Sequence, residues 1–300
     1  MAKPLPILSQ MPWHIQQDII DAADVETKFS VSQCSKQLKN TVDNSKMPLD
    51  SLKFSWEWDS SPFRGMVSVG YSHSSEEISR SVDFSPRSTG FHREVLEGAD
   101  QKNERIVENG DYVDAGIEQF VKVLRRFPKL SLRRTGFLFK RYSTDLESYE
   151  LQKRVVEEKL NRALKSLNRQ IVASEVQVTS NDNAKGVSQI LSHFRPGILE
   201  KISIVPDVWF LLQKDVQLIN LNEIVKLKQW KQASSLNLYR FDLTLPKEET
   251  AHLSDIRYYS STVSFQLVKD ILDKSLCLTC MTSKNKKNRG SAEVAFTSDG

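Results

Sequence analysis

The sequence predicts a mixed fold, between α+β and α/β. A helical N-terminal module precedes a β-hairpin-containing middle segment and a C-terminal helix–strand array. Three observations carry this. Apolar residues recur at spacings of three and four from Ile15 to Val42, the helical period. From Ser51 the period drops to two. Over the C-terminal half, segments with apolar residues at i, i+3 and i+5 follow helical stretches, as in Leu199-Glu-Lys-Ile202-Ser-Ile204 and, 34 residues on, Ala233-Ser-Ser-Leu236-Asn-Leu238. A helix that returns each strand to lie beside the last gives a parallel array.

Residues 1–10 carry two prolines and read as a lead-in. Pro12 suits the first turn of a helix, and Ile15, Ile19 and Ile20 form its apolar stripe. Asp24 is placed to cap a second helix carrying Val25 and Phe29, and Val31, Cys34, Leu38 and Val42 continue the period; the module spans 8–45. In the middle segment, 46–110, Leu52-Lys-Phe54-Ser-Trp56-Glu-Trp58 and Met66-Val-Ser-Val69-Gly-Tyr71 alternate on either side of a turn-rich link, which predicts an antiparallel hairpin. Phe54, Trp56 and Trp58 read as one buried sheet face rather than a stacking platform for a ligand. Ile78 to Phe84 adds a strand, and 85–110 reads as an irregular connection.

The array occupies 111–281. Tyr112 to Phe127 is helical, with Val113, Ile117, Phe120, Val121 and Leu124 on one side and Pro128 ending it. The strand signature then falls at Leu130-Ser-Leu132, Val176-Gln-Val178, Ile202-Ser-Ile204, Leu236-Asn-Leu238 and, with a polar first position, Leu276-Cys-Leu278. This is the strand pattern of leucine-rich repeats, in which the intervening residues line a concave face. On that reading Lys129, Ser131 and Arg133, then Glu175, Gln177 and Thr179, then Lys201 and Ser203, then Ser235, Asn237 and Tyr239 form one outward surface that grips a macromolecule. The arrangement that competes with it is a closed α/β domain with both sheet faces covered. Residues 282–300 read as a disordered basic tail.

Residues 11–42 resemble an F-box. Met11-Pro12-x-x-Ile15-x-x-x-Ile19-Ile20 matches the family's Leu-Pro opening and paired aliphatics, and Val31-Ser-x-Cys34-Ser-Lys36-x-Leu38 its close, with Met11 for the usual leucine and Leu38 for a common tryptophan. F-box domains dock on the small adaptor subunit of SCF-type ubiquitin ligases, so the resemblance implies that Met11, Pro12, Ile15, Ile19, Ile20 and Phe29 face that adaptor. Further on, Ile190-Leu-Ser-His193-Phe-Arg-Pro196-Gly197-Ile-Leu199-Glu-Lys-Ile202 and Glu223-Ile-Val-x-Leu227-x-Gln229-Trp230-Lys231-Gln-Ala233 are similar to the FTH domain, the C-terminal module of an expanded nematode family of F-box proteins. The likeness runs from about residue 112 to about 275 and departs after Arg240, where the family's His-Phe strand is hard to place. Together the two imply a non-catalytic receptor subunit, joined through the adaptor to a cullin scaffold and holding a protein target on its C-terminal domain.

Composition sets bounds. No run approaches the ~20 apolar residues of a membrane span, and no secretory signal opens the chain, so no membrane partner is expected. Three cysteines, Cys34, Cys277 and Cys280, make no disulfide framework, which points to a reducing compartment, the cytoplasm or nucleus. Cys277-Leu-Thr-Cys280 has the spacing of half a zinc site without the other half, so no metal or other cofactor is expected. His193 beside Phe194 reads as a hydrogen-bonded core residue, and Gly186 and Gly197 as helix terminators. No phosphate loop, nucleophile elbow or histidine pair appears, so no enzymatic activity is expected. The net charge of +4 names no partner, but Lys122 to Arg141 holds eight basic residues and no acidic one. That block supports an alternative: a binding protein outside any ligase, whose basic concave face holds RNA or an acidic partner.

Overall fold

The computed structural model describes residues 8–23, 25–45, 49–59, 65–73, 79–97, 100–127, 130–142, 145–179, 184–205, 217–218, 221–239, 241–242, 247–260, 277–281 and 292–297. After a 3-10 turn at Leu8–Gln10 come three helices: α1 (Trp13–Ala22), α2 (Val25–Cys34) and α3 (Lys36–Asn44). Ser35 caps α3 by accepting a hydrogen bond from the Leu38 N–H, whereas Asp24, the expected cap of α2, lies outside the described residues. A five-strand meander follows, β1 (Leu49–Trp58), β2 (Met66–His73), β3 (Ser79–Arg87), β4 (Gly90–Glu97) and β5 (Asp100–Glu108). Helices and strands then alternate: α4 (Tyr112–Arg126), β6 (Ser131–Arg141), α5 (Leu146–Lys165), β7 (Val172–Thr179), α6 (Ala184–Leu191), β8 (Lys201–Val205), β9 (Gln217–Leu218), α7 (Lys228–Gln232), β10 (Ser235–Tyr239), β11 (Phe241–Asp242), α8 (Lys247–Thr250) and β12 (Asp255–Ser260). Strands β13 (Cys277–Met281) and β14 (Ala292–Thr297) close the chain.

Among the described residues twelve strands join in one sheet, in the order β13-β14-β12-β10-β8-β7-β6-β1-β2-β3-β4-β5. Its centre is parallel, from β12 through β10, β8, β7 and β6 to β1, and both margins are antiparallel. The meander is therefore no separate domain. It enters the array through β1, which runs parallel to β6 with Phe54 beside Phe137 and Trp56 beside Phe139.

One row of core residues crosses the parallel strands in register: Leu52, Thr135, Val176, Ile202, Leu236 and Ile256. A second, one step on, holds Phe54, Phe137, Val178, Ile204 and Leu238, all essentially inaccessible. Helix α4 covers this face near β1 to β4, where Phe120 meets Phe54 at 6.0 Å and Phe137 at 5.4 Å in edge-to-face contacts. Tyr149 of α5 stacks on Trp56 at 5.7 Å, and Phe194 meets Phe137 at 6.2 Å. Helices α1 and α3 add Ile20, Leu38 and Val42 to the same core, and Arg126 of α4 hydrogen-bonds Ser32 of α2.

Several expectations are corrected. On β6 the repeating frame starts at Leu132, not Phe127: Leu132 aligns with Ala173, and Thr135 and Phe137 take the inward positions expected of Leu130 and Leu132. Residues 85–110 form the end of β3 and all of β4 and β5 rather than an irregular connection. The fifth alternating strand is β12, led by Leu253 and Ile256, whereas the segment around Leu278 lies at the sheet edge, antiparallel to β14. Residues 292–297, read as part of a disordered tail, are β14, between β12 and β13; 282–291 lie outside the described residues. Gly186 sits inside α6, while Gly197 takes φ +78° in the turn beyond it, a backbone region that favours glycine.

Candidate functional site

Each parallel strand sends alternate side chains to the face opposite the helices, and that face is polar. Across its middle Lys53, Gly136, Gln177, Ser203, Asn237 and Arg257 stand in register. Gly136 leaves a gap that the Lys53 stem overlies: a Cβ there would come within 3.3 Å of Lys53 Cγ. Gln177 and Ser203 are half-buried, and Asn237 is buried with its Oδ1 lacking a hydrogen-bond partner among the described residues.

Carboxylates of the adjacent row are paired with Arg134 and Arg257. Arg134 Nε donates to Glu175 Oε2 at 3.0 Å, Ser235 Oγ donates to Asp255 Oδ2 at 3.1 Å, and Arg257 Nε reaches the same oxygen at 3.2 Å. Nearer β1, Lys140 pairs with Glu57 at 2.5 Å. Burial, and then the neighbouring Lys140, push the Lys53 ammonium below the ordinary lysine value. Burial lifts the Asp83 carboxyl above its usual range, with hydrogen bonds from Ser68 and Ser81 opposing.

Of the residues predicted to face a target, Gln177, Lys201, Ser203 and Asn237 come together here, with Glu175 and Ser235 beside them. Thr179 is buried and accepts the Phe139 N–H at 3.2 Å. Ser131 and Arg133 do not belong to the ladder. Because the β6 frame lies five residues later, its places go to Arg134 and Gly136, and Arg133 pairs instead with Asp50 at 2.6 Å. Lys129 and the side chain of Tyr239 lie outside the described residues. Lys53, Arg134, Asp255 and Arg257 escape sequence reasoning, since their membership follows from pairings between strands far apart in the chain.

The arginines of the basic block are occupied internally. Arg125 donates to Ser166 Oγ at 2.6 Å and Arg126 to Ser32, Arg133 and Arg134 hold Asp50 and Glu175, and Arg141 lies 5.8 Å over the Tyr149 ring. A nucleic acid backbone draws its affinity from cations that phosphates can neutralise. Here the arginines already have carboxylate, hydroxyl or aromatic partners, and the polar face carries acids among its bases.

The second predicted surface is on α1. Its inward side carries Gln16 and Ile20, each 1% exposed, with Gln16 Nε2 donating to the Met11 carbonyl at 2.6 Å. Its outward side carries Ile15, 39% exposed, and Ile19, 43%, and Trp13 at the first position of the helix is 65% exposed. Pro12 is exposed and Met11 half-buried, so Ile20 belongs to the core while Pro12, Ile15 and Ile19 remain accessible; the side chain of Phe29 lies outside the described residues. Trp13 is exposed without having been predicted to be; at 3.6 residues per turn it lies on the side of Gln16 and Ile20, at the start of the helix, rather than beside Ile15 and Ile19.

His193 Nε2 lies 2.7 Å from Asn161 Oδ1 and serves as a packing residue that ties the turn after α6 to α5. Trp230 is fully buried, its indole N–H donating to the Glu249 carbonyl at 3.0 Å. Cys34 is exposed, and the side chains of Cys277 and Cys280 lie outside the described residues. Among the described residues no helix is long and apolar enough to cross a membrane.

The C-terminal part of the array, from mid-α5 through β14, can be identified. Residues 154–296 match the FTH domain. The FTH domain thus contributes β7, β8, β10 and β12 to the polar face, while β1 and β6, with Lys53, Arg134 and Gly136, lie outside the match. No curated protein and no solved structure matches the chain.

Proposed function

We propose that this chain is the substrate-recognition subunit of an SCF-type ubiquitin ligase, an F-box protein of the nematode family whose C-terminal module is the FTH domain. The N-terminal helices dock on the adaptor subunit, and the polar sheet face, a degenerate leucine-rich-repeat surface, holds a protein target. The observation that carries the reading is the inverted burial of α1: Ile15 and Ile19 face solvent on the helix whose other side anchors to the core through Gln16 and Ile20. An isolated protein gains nothing from that exposure, and a partner that covers it does. The chain supplies no chemistry. Its contribution is proximity, raising the local concentration of the target's lysine at a ubiquitin-charged enzyme.

The test is retention of purified SCF adaptor by the full chain and by an Ile15→Asp, Ile19→Asp double variant. Burying two carboxylates at an apolar contact is costly, so retention should fall to background while thermal melting is unchanged, because both positions are solvent-facing. No retention by the wild-type chain, or equal retention by the variant, sinks the assignment.

A further inference from the structure

The polar sheet face carries more cations than it pairs. On the parallel strands its carboxylates are each taken, Glu57 by Lys140, Glu175 by Arg134 and Asp255 by Arg257. Lys53 on β1 and Lys201 on β8 belong to the same face, and neither forms an ion pair among the described residues. Burial, and then Lys140, hold the Lys53 ammonium below the ordinary lysine value against the pull of Glu57, as fits a cation short of a counter-charge. The two unpaired lysines stand three strand spacings and two residues apart, or about 16 Å. On the other side of β1 the face turns acidic, with Asp83 two strands away on β3, so an anion seated at Lys53 is directed toward β12.

Along and beyond the line that joins the lysines, the face offers neutral groups. Gly136 has no side chain, Gln177 and Ser203 are half-buried, and Asn237 is 5% exposed with its Oδ1 lacking a partner among the described residues. A buried acceptor left unpaired costs free energy that a donor from a ligand recovers. A carboxamide and a hydroxyl fit the N–H and C=O groups of a peptide backbone whatever its sequence. Side chains on one side of an extended chain recur every second residue, so acids at positions i and i+4 stand about 14 Å apart, and the flexible lysine stems span the remaining ~2 Å. A nucleic acid strand, with a charge about every 3.4 Å, would press its surplus phosphates against Glu175 instead.

We propose that the segment of the target held on this face is an extended polypeptide with acidic residues at positions i and i+4, its carboxylates on Lys53 and Lys201 and its backbone hydrogen-bonded to Gln177, Ser203 and Asn237. This rests on the reading of the sheet face as the target surface, and not on adaptor docking.

The test is calorimetry of the full chain at low salt with acetyl-Thr-Ser-Glu-Thr-Ser-Thr-Glu-Thr-Ser-amide. This peptide should bind saturably, its analogue with glutamine for both glutamates about tenfold more weakly, and acetyl-Thr-Ser-Glu-Glu-Thr-Ser-Thr-Thr-Ser-amide, which has the same composition but one usable carboxylate, about threefold more weakly. A Lys53→Gln, Lys201→Gln double variant should bind the first peptide about tenfold more weakly and the glutamine analogue as wild type does, with an unchanged melting temperature, because neither lysine holds a partner within the fold. Adaptor retention by the same variant should match wild type, so a failure of the sheet face and a failure of α1 are read separately. No saturable binding of the first peptide, equal affinity for its glutamine analogue, indifference to the double substitution, or tighter binding of a nine-residue thymidine oligonucleotide would overturn the proposal.

Discussion

Leu52 on β1 lies beside Thr135 on β6 in parallel register, although 83 positions and the whole meander separate them in the chain. Through this pair the middle segment supplies the first parallel strand of the array. A fragment of residues 111–300 would expose the β6 edge and strip Phe137 and Phe139 of their β1 neighbours Phe54 and Trp56. Such a fragment should melt without a cooperative transition and bind a hydrophobic dye, whereas a fragment beginning at residue 46 should fold cooperatively. Circular dichroism melting and dye fluorescence of the two fragments decide the matter.

Gly116 of α4 faces β2 so closely that a Cβ would come 2.2 Å from Val67 Cγ1. Gly116→Ala should therefore destabilise the protein by about 1–3 kcal/mol through overpacking, overriding a helix-propensity gain of up to ~1 kcal/mol. Adding Val67→Ala should recover part of that loss. Denaturant titration of the single and double variants reads both changes.

Asp111 caps α4, its Oδ1 accepting the Val113 and Asp114 N–H groups at 2.7 and 3.3 Å. Asp111→Ala should cost about 1 kcal/mol, the usual range being roughly 0.5–2. Because the folded-state carboxyl ionises below the ordinary value of 3.8, this contribution is present above that pH and disappears as pH falls through the lower folded value. The gap between wild type and variant in denaturant midpoint should accordingly narrow below pH 3.8.

His193 is held below the ordinary histidine value of 6.5 by burial and, secondarily, by Lys165. A base with a depressed folded value stabilises the protein above its unfolded value, and that stability is lost as pH falls from 6.5 toward the lower folded value. His193→Gln preserves a donor to Asn161 and does not titrate. It should show a smaller drop in melting temperature than wild type on acidification from above to below pH 6.5; an equal drop would assign the sensitivity to other groups.

The helices and the central strands are legible in the sequence because their periods are clean: α4 presents Val113, Ile117, Phe120 and Leu124 to the core, and β8 and β10 alternate as expected. The β6 frame is misread from sequence because Leu130-Ser-Leu132 is the more apolar match, while the true frame puts Thr135 in the buried row and Gly136 on the polar face. Thr135 is inaccessible all the same, since register within the sheet outweighs its polarity. Strands β4 and β5 are hidden for a related reason. Near the sheet edge only Phe91, His92 and Val95 of β4 are buried among the described residues, and Ile106 on β5 is 64% exposed, so no apolar alternation marks them. The polar ladder depends on long-range pairing, which no local spacing encodes. The outward apolar side of α1 is visible as a stripe, but which of its residues turn inward depends on contacts with α3, such as Gln37 Nε2 with Gln16 Oε1 at 3.5 Å.

The uninterrupted sheet makes the molecule a ruler graduated in strands. Neighbouring strands stand about 4.8 Å apart, and the parallel run from β1 to β12 has no break at which one part could hinge against another. Whatever is held near β1 and whatever is held near β12 are kept at a fixed separation. Gain or loss of one helix–strand unit would change that separation by a single graduation of about 4.8 Å, so reach in such a scaffold changes by discrete steps rather than by bending.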